Sequence, residues 1–182
     1  MWSTSNAKKL YPEQVVEWGN LLPACEFCNR SAKSDHDVVA EPIVDPIHDR
    51  PSDHLYVRCG RFFSKDEKGR STIEVLKLND EVNLLCARFE VCRRCEKSLR
   101  ECEFWMKRST APSDRCEVRN KLLALLRGGL PDREYAATVA TCLLCDNGEL
   151  LREVEAQLRI WQLWDEEMER TKEALRQIAL PK

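Results

Sequence analysis

The chain has 182 residues, 43% of them hydrophobic and 33% charged, with a formal net charge of −2 at pH 7. This composition is typical of a folded globular protein and excludes a disordered chain. The small negative charge argues against a protein that coats nucleic acid through bulk electrostatics, although a local basic site is compatible with it. The sequence has no apolar run of the roughly 20 residues needed to cross a bilayer and starts with polar residues, so we expect a cytoplasmic protein without a membrane partner.

The first part of the chain, residues 1–79, contains most of the prolines and all three histidines. Short apolar runs such as Val38-Val39 and Ile43-Val44 are interrupted by proline, which predicts loops and short strands. The stretch Ser71–Leu78 ends at Asn79-Asp80, which is typical of a helix end followed by a new cap.

Residues 80–182 show helical periodicity, which predicts a second region that is a helical bundle. We expect a long helix after Asp80, a second ending at Gly128-Gly129, a third starting at Asp132, and a last helix over about 149–179. The residues expected on the buried stripe of the first of these helices are Val82, Leu85, Phe89, Cys92, Leu99, Cys102 and Met106. The third helix is expected to turn Tyr135, Val139, Cys142 and Leu143 inward.

Cysteines provide the first chemical signal. Cys25 and Cys28 have the Cys-x-x-Cys spacing that presents two sulfurs to one tetrahedral zinc ion, which needs two further ligands. Without a secretory signal, thiols or metal ligands are favoured over disulfides. Cys92 and Cys95 are candidates to complete a four-thiolate site, but we favour core packing for them, and likewise for Cys142 and Cys145.

The stretch from Trp18 to Lys33 gives a family resemblance. A Trp-x-Asn-Leu step containing Asn20 is followed by Cys25-x-x-Cys28-Asn29 and then a lysine, Lys33. This pattern resembles the latter half of HNH endonucleases, the ββα-metal family, and in particular the HNH nucleases of bacterial antiphage systems such as Septu and certain retrons. The segments that extend the resemblance downstream are Glu41–Pro46, Asp49–Leu55 and Gly69–Asn79.

The resemblance implies an α+β fold, with an HNH remnant in residues 1–79 packed on a mainly α-helical bundle in residues 80–182. It implies a zinc knuckle with Cys25 and Cys28 as ligands of a structural Zn²⁺. It also implies Asn29 as a ligand of the catalytic Mg²⁺, Asn20 as the residue that helps orient the base, and Lys33 as a phosphate contact. DNA is the implied substrate, and an ATPase of the defence system is an implied partner.

One part of the family pattern has no counterpart in the sequence. The first Cys-x-x-Cys and the Glu-His step that supplies the general base belong upstream of the stretch that Ser5–Pro12 resembles. We do not expect His36, His48 or His54 to replace that base, although His36 beside Asp35 and Asp37 is the best spare metal ligand. We therefore expect an HNH homologue that does not cleave DNA as given. The alternatives are a non-catalytic, zinc-stabilised binding subunit and an N-terminally truncated product.

Overall fold

A computed structural model describes residues 2–4, 9, 11–14, 17–18, 21–23, 27, 33, 36–108 and 111–182. The described residues fall into two compact units. The first unit comprises those within 1–56 and 62–85, and the second comprises residues 57–61 and 86–182.

The first unit contains short strands and helices. Strand β1 (Trp2–Thr4) pairs antiparallel with β2 (Leu21–Pro23), with Ser3 opposite Leu22. Helix α1 (Pro51–His54) leads into strand β3 (Leu55–Arg58), which pairs with β4 (Arg61–Ser64) in a second two-stranded sheet. Helix α2 (Glu67–Val75) follows, so a helix is present in the predicted stretch, but it ends at Val75 and not at the predicted Asn79-Asp80. Lys77 has a left-handed φ of 49°, which is incompatible with continuing the helix.

Helix α2 begins where the sequence offers a good cap. The Asp66 carboxylate accepts a hydrogen bond from the backbone N–H of Gly69, which satisfies one of the free N–H groups of the first turn. The helix is fixed to the preceding loop by Thr72, whose Oγ1 accepts a hydrogen bond from the backbone N–H of Val44 at 2.8 Å. Both Val44 and Thr72 are buried, so this bond holds the loop against the helix.

The second unit is a helical bundle, as predicted. Its helices are α3 (Cys86–Met106), α4 (Pro112–Arg127), α5 (Ala136–Thr141), α6 (Gly148–Ile160) and α7 (Glu166–Ile178). The π-helical turn Glu81–Leu85, which precedes α3 in the chain, belongs to the first unit. A second π-helical turn, Cys142–Asp146, follows α5 directly. Fully buried leucines from α3, α4, α6 and α7 meet in one core: Leu99, Leu122, Leu126, Leu151, Leu158 and Leu175.

Three details differ from the sequence-based prediction. The prediction of which residues are buried on α3 is partly wrong, because Val82 is 88% exposed and Phe89 is 52% exposed. The buried face is centred on Cys95 and Leu99. Arg88 is buried on this face. Phe89 is the next residue, so its side chain points about 100° further round the helix and away from the buried face. Val82 lies in the π-helical turn before α3.

The other two differences concern helix boundaries. The third predicted helix starts later than Asp132, because Tyr135 adopts a left-handed φ of 57° and is 39% exposed rather than inward. The predicted last helix is two helices, α6 and α7, separated at Gln162, which also has a left-handed φ of 59°. None of the described helices combines the length and apolar character needed to span a membrane.

Candidate functional site

The HNH-type residues fall mostly outside the part of the chain that the structure describes. Asn20, Cys25, Cys28 and Asn29 all lie outside the described residues, so their predicted roles stay predictions. Lys33 is described and is half-buried, and this burial lowers the pKa of its ammonium group. A phosphate oxygen beside that ammonium would favour its charged form and so oppose the effect of burial.

The three histidines each have a partner within the first unit. His36 Nε2 is 2.8 Å from the backbone oxygen of Glu41, and His48 Nδ1 is 2.8 Å from Asp45 Oδ2. His54 Nδ1 lies 2.6 Å from Asp66 Oδ2.

The carboxylate that His54 contacts is also the cap of α2, so this histidine connects α1 to the start of α2. That placement gives His54 a structural role. Among the described residues, none of the three histidines belongs to a group of His, Cys, Asp or Glu that could hold a metal.

Two cysteines of the second unit, Cys92 and Cys142, converge although core packing was predicted for both. The sulfur atoms of Cys92 and Cys142 and a carboxylate oxygen of Asp146 all lie within 4.8 Å of one another. The Cys142 thiol donates to the backbone oxygen of Cys92 at 3.5 Å, and it is also hydrogen-bonded to the Cys95 thiol. We name Cys92, Cys95, Cys142 and Asp146 the cysteine cluster.

Local structure positions each member of the cysteine cluster. Cys92 and Cys95 lie one turn apart on the buried face of α3, because residues three apart share a helix face. Cys142 and Asp146 are the first and last residues of the π-helical turn. That turn closes through a hydrogen bond from the Asn147 N–H to the Cys142 oxygen, at 2.9 Å. π-helical turns of this kind are rare and occur frequently at functional sites.

The electrostatics of the cysteine cluster are unusual for a hydrophobic core. Hydrogen bonds with the Cys92 and Cys95 thiols, together with burial, raise the pKa of Cys142. The hydrogen bond from Cys142 lowers the pKa of Cys95, against the opposing effect of burial. Burial raises the pKa of the Asp146 carboxyl, although the backbone N–H of Cys59 donates to it at 3.0 Å.

The sequence contained part of this signal. Both Cys-x-x-Cys pairs of the bundle were visible, but nothing in the sequence showed that Cys142 would face Cys92 and Cys95. Asp146 and Cys59 were missed entirely as members or neighbours of a site. The only hint was that Asp146 follows Cys145 directly at the end of a predicted helix.

The described part of the chain is thus a mainly helical protein with a buried cysteine cluster. No protein-family model matches the chain, and no solved structure matches it. The chain is similar to the Septu protein PtuB of Bacillus thuringiensis, with 34% identity over 160 residues, which cover 85% of this chain and 62% of that protein. It therefore spans less than two thirds of the length of this relative. The match confirms the predicted relation to a Septu protein, while the HNH assignment stays a prediction.

Proposed function

We propose that this chain is a component of a bacterial antiphage defence system of the Septu type. The observation that carries the proposal is the similarity to PtuB, which extends over 85% of the chain. A match of that extent includes most of the helical bundle, so it does not rest on one motif.

Within such a system the chain acts as a homologue of HNH endonucleases with DNA as its ligand. Asn20 and Asn29 occupy the asparagine positions of the motif, and Cys25 and Cys28 the knuckle positions. Asn29 would hold the divalent metal of the family, and the two cysteines would hold a structural zinc ion. Asn20 would fix the local backbone through its amide.

Lys33 would contact the DNA backbone as a single positive charge. Its half-buried position lowers the pKa of the ammonium group, and a bound phosphate would oppose that effect. Because the whole chain has a net charge of −2, we expect few phosphate contacts and a shallow dependence of DNA affinity on salt. Replacing Lys33 with Gln should weaken binding about equally for all sequences and lower the salt slope by about 1.

A phage-challenge experiment tests the defence role. Cells carrying the chain with its neighbouring genes are infected, and plaque formation is compared for the wild type, Asn29→Ala and Asn120→Ala. Asn120 is an exposed asparagine on α4 and is the matched control. We expect protection by the wild type and the control, and loss of protection for Asn29→Ala. Absence of protection by the wild-type system would contradict the defence role.

A cleavage assay separates the nuclease homologue from a binding subunit. The purified chain is incubated with plasmid DNA and Mg²⁺, with the same two variants. Cleavage that disappears in Asn29→Ala would identify a working nuclease. Phage protection without cleavage would favour the second candidate, a non-catalytic subunit that docks on a partner such as the ATPase of the system.

An exposed aromatic pair favours that second candidate. Phe104 and Trp105 at the end of α3 are 47% and 52% exposed, and their rings meet edge to face with centroids 5.5 Å apart. The Arg108 guanidinium lies 3.8 Å from the centroid of the Phe104 ring. Aromatic and arginine side chains are enriched at protein interfaces. Co-purification with the neighbouring gene products should therefore be weakened by Trp105→Ala but not by Ile160→Ala, an exposed residue at the end of α6.

A further inference from the structure

We propose that Cys92, Cys95, Cys142 and Asp146 bind one zinc ion inside the helical unit. This site is separate from the zinc knuckle of Cys25 and Cys28, and it uses residues of α3 and of the π-helical turn after α5. It does not depend on the proposed function, because all four side chains belong to the helical bundle.

The donor set fits zinc better than other biological metals. Soft thiolate ligands favour Zn²⁺ over Mg²⁺ or Ca²⁺, which prefer oxygen ligands. Three sulfurs and one carboxylate oxygen give four donors, the number found in closed tetrahedral zinc sites. The carboxylate belongs to Asp146, which is exposed at the edge of the buried thiols.

The geometry needs only small side-chain adjustments. A tetrahedral site with zinc–sulfur bonds of about 2.3 Å places neighbouring sulfurs about 3.8 Å apart. The Cys92 and Cys142 sulfurs and the Asp146 oxygen are already within 4.8 Å of one another, and the Cys95 thiol contacts that of Cys142. Rotation about side-chain bonds is the adjustment that would bring the four donors to these distances.

Hydrogen-bond donors already contact two of the proposed ligands. The Asn147 side-chain amide donates to the Cys142 sulfur at 3.3 Å, and the backbone N–H of Cys59 donates to Asp146 at 3.0 Å. Hydrogen bonds of this kind orient metal ligands and stabilise their anionic forms. A surface pocket lined by Cys145, Asp146 and Asn147 gives an ion access to the edge of the cysteine cluster.

Asp146 is assigned as the fourth ligand in preference to Cys145. The Asp146 oxygen lies within 4.8 Å of the Cys92 and Cys142 sulfurs, whereas the Cys145 sulfur is outside that group. Cys95 is also outside it, but its thiol is hydrogen-bonded to that of Cys142. The ion would then connect the middle of α3 to the π-helical turn. Since Cys59 donates to Asp146, the end of the β3–β4 hairpin would be fixed to the same point.

Metal analysis of the full chain tests the proposal. The reduced chain is loaded with zinc, freed of excess by gel filtration, and measured by inductively coupled plasma mass spectrometry. Relative to the wild type, Cys92→Ser and Cys142→Ser should each lose one zinc per chain. The matched control is Cys102→Ser, which also places a hydroxyl in the core of α3 but lies outside the cysteine cluster, and it should retain that zinc.

Further variants separate this site from its alternatives. Cys25→Ser combined with Cys28→Ser should retain the zinc of the cysteine cluster, and loss of all metal in that variant would overturn the proposal. Asp146→Asn should weaken zinc binding more than Cys145→Ser, and the reverse order would overturn the assignment of Asp146. An unreduced peptide map showing a disulfide between Cys92 and Cys142 in the purified chain would also overturn the site.

The wild-type chain supplies a test that needs no variant. Zinc should raise the midpoint of thermal unfolding of the helical circular dichroism signal, and a chelator should lower it, because an ion bound only to the folded state stabilises it. Cobalt substitution should give the intense thiolate-to-metal absorption of a sulfur-rich tetrahedral site. The proposal would be overturned if neither zinc nor the chelator changed the unfolding midpoint and the cobalt-loaded chain lacked the thiolate-to-metal absorption. This test holds even if the cysteine variants fail to fold.

Discussion

Arg88 and Gly60 contact each other closely within the helical unit. The Arg88 guanidinium donates from Nη1 to the Gly60 backbone oxygen at 3.1 Å, and the arginine is buried on α3. Gly60 has a left-handed φ of 78°, and a Cβ atom built there would lie 2.9 Å from the backbone carbon of Arg88. Both the backbone conformation and the close approach therefore require glycine at this position.

Gly60→Ala should lower the free energy of unfolding by about 1–3 kcal/mol, because it combines a left-handed alanine with a backbone clash. Urea denaturation followed by circular dichroism measures the change. Gly148→Ala is the control, since a Cβ at Gly148 meets nothing closer than the flexible end of Arg152 at 3.5 Å. Equal stability of Gly60→Ala and the wild type would show that the hairpin end does not contact α3 in solution.

A partly buried ion pair joins α6 to α7. Lys172 Nζ lies 2.5 Å from Glu155 Oε2, and the two side chains are 11% and 13% exposed. Glu155→Gln should lower the free energy of unfolding by about 1–3 kcal/mol, because it leaves a buried ammonium group without its charge partner.

The matched control for this pair is Glu173→Gln. Its partner Arg176 is 51% exposed, and an exposed pair contributes only about 0–1 kcal/mol. Chemical denaturation of the two variants gives the comparison. If both substitutions cost the same small amount, the Glu155–Lys172 pair is solvated in solution.

Asp165 gives a pH-dependent prediction. Its carboxylate pairs with Arg119 and accepts a hydrogen bond from the N–H of Met168 at 3.0 Å, as the cap of α7. The hydrogen bond with Arg119, followed by that with Met168, holds the pKa of Asp165 below its usual value. A lowered pKa means that this stabilisation is present above about pH 3.9, the value in an unfolded chain, and is lost as the pH falls through the folded value.

Asp165→Ala should therefore cost about 1 kcal/mol near neutral pH, and the difference from the wild type should shrink as the pH falls below about 4. Thermal unfolding at several pH values measures it. Asp165→Asn keeps a capping oxygen, so it should lose less stability than Asp165→Ala. Because it has no carboxyl group at this position, its stability should lack the decrease below about pH 4 that Asp165 contributes in the wild type. A difference between the wild type and Asp165→Ala that stays constant down to pH 2 would contradict the role of the ionised carboxylate.

Much of the helical unit was predictable because its apolar residues recur with the period of a helix. Val118, Leu122 and Leu126 recur at helical spacing and are buried on α4, and so are Leu151 and Leu158 on α6. Periodicity identifies which face of a helix is buried, but it does not identify which helices meet. The contact of Cys142 with Cys92 and Cys95 therefore became visible only in three dimensions.

The break between α6 and α7 was missed for a local reason. Leu163 N–H bonds to the Leu158 oxygen and Gln162 N–H to the Arg159 oxygen, which is the Schellman pattern that ends a helix. The left-handed position of that pattern is usually glycine, and here it is Gln162, so the usual signal was absent. Asp165 followed by two glutamates is the start signal of α7 that the sequence did contain.

Gln162 occupies a left-handed position that glycine adopts more readily. A non-glycine residue in the left-handed region costs roughly 1 kcal/mol relative to glycine, so Gln162→Gly should raise the free energy of unfolding by about 0.5–1 kcal/mol despite the greater freedom of the unfolded chain. Gln177→Gly is the matched control, because Gln177 is exposed in α7 and glycine inside a helix costs about 1 kcal/mol. The same substitution should thus stabilise the protein at one glutamine and destabilise it at the other, as measured by urea denaturation. If both variants lose stability equally, α6 and α7 form one continuous helix in solution, as the apolar period over residues 149–179 alone predicts.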